Sequence, residues 1–363
     1  MEKIKVAILG LAHSHARALY NQFAIYPDEV EIIGFAEAGK TDDQTKEERY
    51  KNAEKMRFAV REYEDYHDLL DLKPDIAIVT CENNTSGKIS CEALKRGITV
   101  VTEKPMCGTY EDALEMVKCA KENGARIFTN WPIAWFPAFR KAKEIADSGR
   151  IGEVMRVTYR SPATWGPYSY APDGQNPPGE ELARTWWYRK ECGGGSILDY
   201  ACYGTAIAIW IFGRAPEKVS GLVKSFVTKE FSDVEDFSAM MLDFGDKVGL
   251  LEGSWSSFNP GEIPSGPVFY GTEGTIVCDR RSPVVKIYEG RSHVSVEPTE
   301  VIAMDGVEDS KLFGRNIIDF MQGKGEINEL LTEKLNLAVM ASLSAGRKSA
   351  ETGETVKVEI PEI

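Results

Sequence analysis

A chain of 363 residues has room for two domains and a large core, and 43% apolar with 27% charged residues is an ordinary globular balance. Its 56 acidic against 43 basic residues leave a net charge of −13, which argues against nucleic acid or an anionic membrane as partner, since both need clustered Lys and Arg. Seven cysteines without a C-x-x-C pair predict free thiols in a reducing cytoplasm, and none of the 4 histidines stands at a metal-ligand spacing from a cysteine, so no metal is expected.

The opening MEKIKVAILG runs straight into a strand, without a signal-peptide layout. Ile4 to Leu9 is apolar and closes on Gly10, and the polar turn Ala12-His13-Ser14-His15 leads into a helix from about Ala16. Strand, tight turn and helix open a dinucleotide-binding unit, in which a helix N-terminus receives a pyrophosphate. The glycine fingerprint is degraded, with Ala12 at its second position and His15 at its third. Any doubly wound sheet has such a turn, with Ser14 as a plain N-cap. The second strand, Val30 to Ala36, ends at Glu37, where an acidic side chain accepts hydrogen bonds from a ribose and repels a 2′-phosphate. NAD(H) is therefore favoured, and the nearby Lys40 keeps NADP(H) open.

Gln44 to Arg57 is charge-rich and helix-like and reads as a solvated face. Strands at Asp75 to Thr80 and Ile98 to Thr102 flank a helix from Ser86 to Arg96, and a helix at Tyr110 to Asn123 precedes a strand at Ala125 to Thr129. This alternation predicts a parallel sheet with right-handed crossovers. It sets Cys81 to Asn84 and Glu103 to Met106 at carboxyl ends of strands, the edge where such sheets bind ligands. A helix from Trp135 to Ser148 and a strand from Gly152 to Ser161 follow. Between Pro162 and Tyr188 lies a segment rich in aromatics, including Trp165, Trp186 and Trp187, with Arg184 among them. Flat aromatic faces suit the C–H faces of sugar rings, and Arg184 suits a hydroxyl or carboxylate; a lid or an oligomer contact is the competing reading.

The run GGGSILDYACYGTAIAIWIF, Gly193 to Phe212, is apolar almost all round and predicts a buried helix with Asp199 as its only charge. A buried carboxylate requires a cation, and Lys104 is the one proposed; Tyr203 lies one turn on, on the same face. Lys218 to Thr228, Ser238 to Phe244, Val248 to Ser257, Val268 to Cys278 and Val284 to Tyr288 read as an antiparallel sheet.

Glu103-Lys104-Pro105 after an apolar strand, followed by Gly193-Gly194-Gly195 and Asp199, resembles the glucose-fructose oxidoreductase, inositol dehydrogenase and rhizopine catabolism (Gfo/Idh/MocA) family, in its tyrosine-type branch. The resemblance covers nearly the whole chain, including the helix from 332 to 352 and its ending SAETGETVKV. It implies an α/β protein: a Rossmann NAD-binding domain over 1–130 and, over 131–363, an α/β substrate domain with a large open, mostly antiparallel sheet. A homodimer or homotetramer through that sheet is also implied. Lys104 matches the lysine that touches the nicotinamide end of the cofactor and the substrate oxygen, Asp199 the acidic residue one turn before the proton-transfer position, and Tyr203 that position itself. The resemblance extends cofactor contacts to Gly10, Ala12, His13, Ser14, His15, Glu37, Cys81, Asn83, Glu103 and Pro105. Substrate contacts are expected from Asn130, Trp165, Arg184 and Trp187. Departures are equally visible: Cys81-Glu82-Asn83 and Ser86 replace the frequent Thr-Pro-Asn-x-x-His, and Asn130-Trp131-Pro132 lacks the arginine that often follows.

The expected activity is hydride transfer between NAD(H) and a sugar, cyclic polyol or related diol. Tyr203 takes the hydroxyl proton, its acidity raised by the Lys104 ammonium, while Asp199 holds Lys104 in place. A glycosidase using transient oxidation and a non-catalytic regulator that binds dinucleotide and sugar are the alternatives.

Overall fold

The computed structural model describes residues 2–51, 56, 59–162, 178–257, 263–290, 297–306 and 311–362. The first half alternates strand and helix: β1 (Ile4–Leu9), α1 (Ala16–Ala24), β2 (Val30–Ala36), α2 (Lys46–Tyr50), β3 (Glu62–Tyr63), α3 (Tyr66–Asp71), β4 (Ile76–Val79), α4 (Asn83–Leu94), β5 (Thr99–Thr102), α5 (Tyr110–Asn123) and β6 (Ile127–Thr129). The strands pair in the order β3-β2-β1-β4-β5-β6, all parallel. Helices cover both faces of such a sheet, so its central strands need unbroken apolar runs, and β4 and β5 are buried at every position. All the carboxyl ends open on one edge, which carries Gly10, Glu37, Cys81, Glu103 and Asn130.

The chain continues through a 3₁₀ turn at Pro132–Trp135 to α6 (Pro137–Asp147), β7 (Val154–Pro162) and α7 (Gly179–Ala183), then α8 (Cys202–Phe212). Next come β8 (Lys218–Lys224), β9 (Phe237–Asp243), β10 (Val248–Ser254), β11 (Pro267–Gly271), β12 (Gly274–Cys278), β13 (Val284–Glu289), β14 (Glu300–Ala303), α9 (Lys311–Met321), α10 (Glu333–Thr352) and β15 (Val356–Lys357). They build a nine-stranded sheet, β14-β13-β12-β11-β7-β10-β9-β8-β15, antiparallel except where β10 runs parallel to β7. One face is covered by α8 and α10. The helices sit close because the sheet supplies glycine: a Cβ on Gly221 would stand 2.1 Å from the Gly346 carbonyl oxygen. The opposite face presents Leu222, Met241 and Leu250, each more than a third exposed.

Four expectations change. Val268 to Cys278 is a hairpin, not one strand, because the chain reverses at Thr272 and Glu273. α9 and the short strands β3 and β14 had no counterpart in the periodicity. The charged stretch after Gln44 is not only a solvated face: Arg49 is fully enclosed and Tyr50 is buried. The apolar run from Gly193 begins with a π-helical turn at Ile197–Ala201 before α8. Among the described residues, the helical run Lys190–Phe212 is the one long and apolar enough to cross a membrane, and 83% of its apolar window lies inside the fold.

Candidate functional site

The glycines ahead of the central helix are required by crowding. A Cβ on Gly194 would stand 2.0 Å from the Trp187 carbonyl oxygen, and Gly195 combines φ +106° with a Glu235 carboxylate 2.5 Å from where its Cβ would be. Glu235 in turn accepts the Ile197 amide at 3.0 Å, which fixes the start of the π turn. That turn carries Asp199. Lys104, just after β5, donates to Asp199 Oδ1 at 2.5 Å and to its carbonyl at 2.9 Å. Trp255 Nε1 donates to the other carboxylate oxygen at 2.9 Å. Both partners of the pair are almost wholly buried. Burial works against the Lys104 ammonium, yet the Asp199 carboxylate overrides it and holds the amine charged. The cation that the buried carboxylate requires is thus Lys104.

Lys104 Nζ lies 4.9 Å from the centroid of the Tyr203 ring, and Trp131 meets that ring edge-on at 5.6 Å. Tyr203 forms part of the wall of a cleft of ≈ 560 Å³ that is also lined by His15, Asn130, Tyr159 and Arg280. The acidity of this phenol differs from expectation. Burial pushes it up to about 12, and the pull of Lys104 and Arg280 in the other direction does not overcome desolvation. Tyr203 is a neutral phenol at physiological pH.

Glu103 is fixed by three donors or near-donors: Asn130 Nδ2 at 2.8 Å, His15 Nδ1 at 3.2 Å and its neighbour's amide, Lys104 N, at 3.3 Å. Burial alone would raise its pKa, but the charge of His15 and the hydrogen bonds from His15 and Asn130 prevail and hold it at about 2. His15 itself is raised, burial being outweighed by Glu103. His13 is wholly buried and desolvation keeps it neutral. Its Nδ1 accepts the His15 amide at 3.3 Å, and its ring packs 4.8 Å from that of Trp187. His13, His15 and Glu103 are the trio with metal-ligating atoms close together among the described residues. His15 Nδ1 is engaged by Glu103 and His13 Nδ1 by the His15 amide, while His13 Nε2 is buried without a partner among the described residues.

The first turn is enclosed. Gly10, at φ +84°, sits on Cys81, whose Sγ would be 2.5 Å from a Cβ there; Cys81 is thereby a packing residue at the floor. Trp186 Nε1 donates to the Ala12 carbonyl at 2.9 Å, and Trp186 stacks on Trp187 at 3.7 Å. Ser14 is exposed, and no side chain caps α1. Glu37 turns back toward the turn and accepts Leu11 N at 3.2 Å and Ala38 N at 3.0 Å through Oε1, while Oε2 is buried without a partner among the described residues. Its pKa is raised, burial prevailing over Arg49. Arg49 is ringed by Glu37, Asp42 and Glu82. Glu82 also accepts the amides of Thr41 and Asp42 at 2.9 and 3.0 Å, clamping the loop after β2 to the start of α4.

Asn83 is spent on structure, donating to the Gly193 carbonyl at 2.9 Å. The Lys104–Pro105 peptide is cis. Asn130 lines the cleft. Arg184 does not: its guanidinium pairs with Glu48 at 3.0 Å and with the Asp43 carbonyl at 3.1 Å, because those acceptors face it across the strap formed by 184–192. Trp187 is buried between His13 and Lys104 and is not part of the cleft wall. Trp165 lies outside the described residues. Arg49, Glu82, Trp255, Tyr159 and Arg280 were missed. Glu82 was visible only as a departure from the family pattern, and the others sit in stretches with no motif.

Two family models match. The oxidoreductase family with an NAD-binding Rossmann fold covers residues 4–131. The GFO/IDH/MocA C-terminal domain covers residues 139–277. An uncharacterized protein of Saccharomyces cerevisiae is 27% identical over 281 residues, 74% of this chain and 75% of that protein. A D-xylose 1-dehydrogenase [NADP(+)] of Haloarcula marismortui is 30% identical over 218 residues, 59% of this chain and 56% of that enzyme. Among solved structures, the WlbA dehydrogenase of Chromobactrium violaceum in complex with NADH and UDP-GlcNAcA superposes with a TM-score of 0.79 at 20% identity, covering 100% of this chain and 98% of that one. Levoglucosan dehydrogenase, in complex with NADH and levoglucosan, gives 0.78 at 18% identity, covering 98% and 100%.

Proposed function

Because this chain belongs to the GFO/IDH/MocA family of oxidoreductases, with an NAD-binding Rossmann fold, we propose that it moves hydride between NAD(H) and a hydroxyl-bearing carbon of a sugar or cyclic polyol. The observation that carries this reading is Lys104, locked by Asp199 and Trp255 beneath the Tyr203 ring at the wall of a cleft. Relatives named as xylose and inositol dehydrogenases support the substrate class.

The chain's donors and acceptors fit the dinucleotide. Glu37 Oε2, buried without a partner among the described residues, suits a ribose hydroxyl, and the turn that Gly10 opens ahead of α1 is the place for a pyrophosphate. Around the ribose position three carboxylates, Glu37, Asp42 and Glu82, outnumber two cations, the Arg49 guanidinium and the Lys40 ammonium 3.7 Å from Asp42. The excess negative charge disfavours a 2′-phosphate, so NAD is preferred over NADP. When bound, the nicotinamide accepts or returns hydride. Lys104 stabilises the negative charge that grows on the substrate oxygen, and Asp199 with Trp255 keeps the ammonium aimed and charged. Asn130, held by Glu103, orients a hydroxyl in the cleft.

Calorimetric titration with NADH and NADPH tests the cofactor reading. NADH is expected to bind in the micromolar range, NADPH at least ~10-fold more weakly, and Glu37→Ala to cost NADH about the same factor, the worth of one buried hydrogen bond to a charged group. Equal binding of the two cofactors overturns the role given to Glu37. A panel of aldoses and inositols offered with NAD, read by NADH absorbance, tests the reaction.

A further inference from the structure

We propose that His15, oriented by Glu103, exchanges the substrate hydroxyl proton with solvent in this cleft. The inference rests on the oxidoreductase reading and adds a group to it. His15 lines the same cleft as Tyr203 and Asn130, with its side chain 40% exposed. Its Nδ1 stands 3.2 Å from a Glu103 oxygen, and Glu103 is itself immobilised by Asn130 and buried. A carboxylate that stays ionised accepts from Nδ1–H, which assigns the imidazole proton to Nδ1 and leaves Nε2 as the free base. The His13 ring, 4.5 Å away, packs against one side of the imidazole, and the Glu103 carboxylate holds its Nδ1. A buried carboxylate behind an imidazole that faces a reaction cleft is the arrangement that makes histidine a positioned base.

Tyr203 does not meet the need alone. A phenol whose pKa is pushed up to about 12 carries almost no base at neutral pH, whereas it conducts a proton well if another group takes one from it. Among the described residues, the other two histidines are elsewhere engaged: His13 is buried and neutral, and His67 pairs with Asp65 and Glu92. The charges facing His15 are Glu103 and Asp199, which favour its imidazolium, and Lys104, which opposes it; Glu103 is the nearest. In the oxidation direction the O–H proton goes to His15 Nε2, directly or through the Tyr203 hydroxyl, as the carbonyl forms. The C–H electron pair leaves as hydride to oxidised nicotinamide, and the imidazolium discharges to water on its exposed side. Reduction runs the same transfers backward.

The first test needs no substrate. Imidazole resonances of the whole protein are followed by NMR against pH, with His15→Asn to assign the signal. The expected result is a His15 midpoint above 6.5 that falls by at least ~0.5 unit in Glu103→Gln. A midpoint at or below 6.5, or one indifferent to Glu103→Gln, overturns the dyad. The second test uses any panel sugar that is oxidised. His15→Asn should lower kcat about 100-fold and abolish the rise of kcat with pH through the NMR midpoint, while the Kd for NADH stays within ~3-fold. Tyr203→Phe should keep that rise. A His15→Asn variant that retains the rise but binds NADH much more weakly makes His15 a cofactor ligand and overturns the proposal. Should NADH bind and no panel member react, the oxidoreductase reading fails, and the NMR result still decides the dyad.

Discussion

At the scale of single residues, the site is governed by who pairs with whom inside a desolvated shell. The Lys104–Asp199 pair is buried on both sides, so removing one partner strands the other. Lys104→Met should destabilise the fold by ~3–5 kcal/mol, and Lys104→Met with Asp199→Leu by less, measured as urea midpoints at unchanged slope. A smaller loss in the single variant than in the double would show that the carboxylate finds water. Glu103 gives a pH signature. Its folded pKa of about 2 is below the unfolded 4.5, so its pairing stabilises the protein above that value and the benefit fades as pH falls from 4.5 toward 2. Melting temperatures of the natural chain and Glu103→Gln should therefore converge across that window. A gap that stays constant would mean that Glu103 acts through shape and not charge. These residues were unequally legible. Lys104 followed from Asp199 because a carboxylate on an apolar helix demands a cation. The acidity of Tyr203 did not, because the cost of burial depends on walls contributed by Trp131, Tyr159 and the central helix together.

Elements were legible where their pattern was long. The strands at Ile4, Val30, Ile76 and Thr99 are predominantly apolar runs and fall close to where periodicity puts them. Two-residue β3 carries no period, and Val268 to Cys278 keeps its alternation through a tight reversal, so a hairpin reads as one strand. Glycine in β8 has a packing reason: a methyl group on Gly221 meets the backbone of α10. Gly221→Ala should lose about 1–3 kcal/mol as the helix is pushed off the sheet, seen as a lower melting temperature with the NADH affinity unchanged. Retention of full stability would mean that α10 slides without cost. The strap from 184 to 192 is held by polar contacts from both sheets, including Asp42 to the Trp186 amide at 3.1 Å. NADH should therefore change tryptophan fluorescence on binding, and Trp186→Phe should remove most of that change.

For the whole molecule, the outward face of the large sheet places Leu222, Met241 and Leu250 on adjacent strands with no cover from the described residues. We expect two copies to bury it against each other. Met241→Lys with Leu250→Lys should halve the mass measured by light scattering while leaving the circular dichroism spectrum intact; an unchanged mass would place any interface elsewhere. What the sequence determined by itself was the alternation of strand and helix in the first half, the edge of the parallel sheet on which the carboxyl ends open, and the need for a cation beside Asp199. Each follows from local periodicity or from the cost of one buried charge. Only the tertiary structure decided that Arg49 is caged by three carboxylates, that Arg184 turns to Glu48, and that His15 meets Glu103. Those pairings join residues far apart in the chain, and their geometry depends on how strand ends and the strap converge.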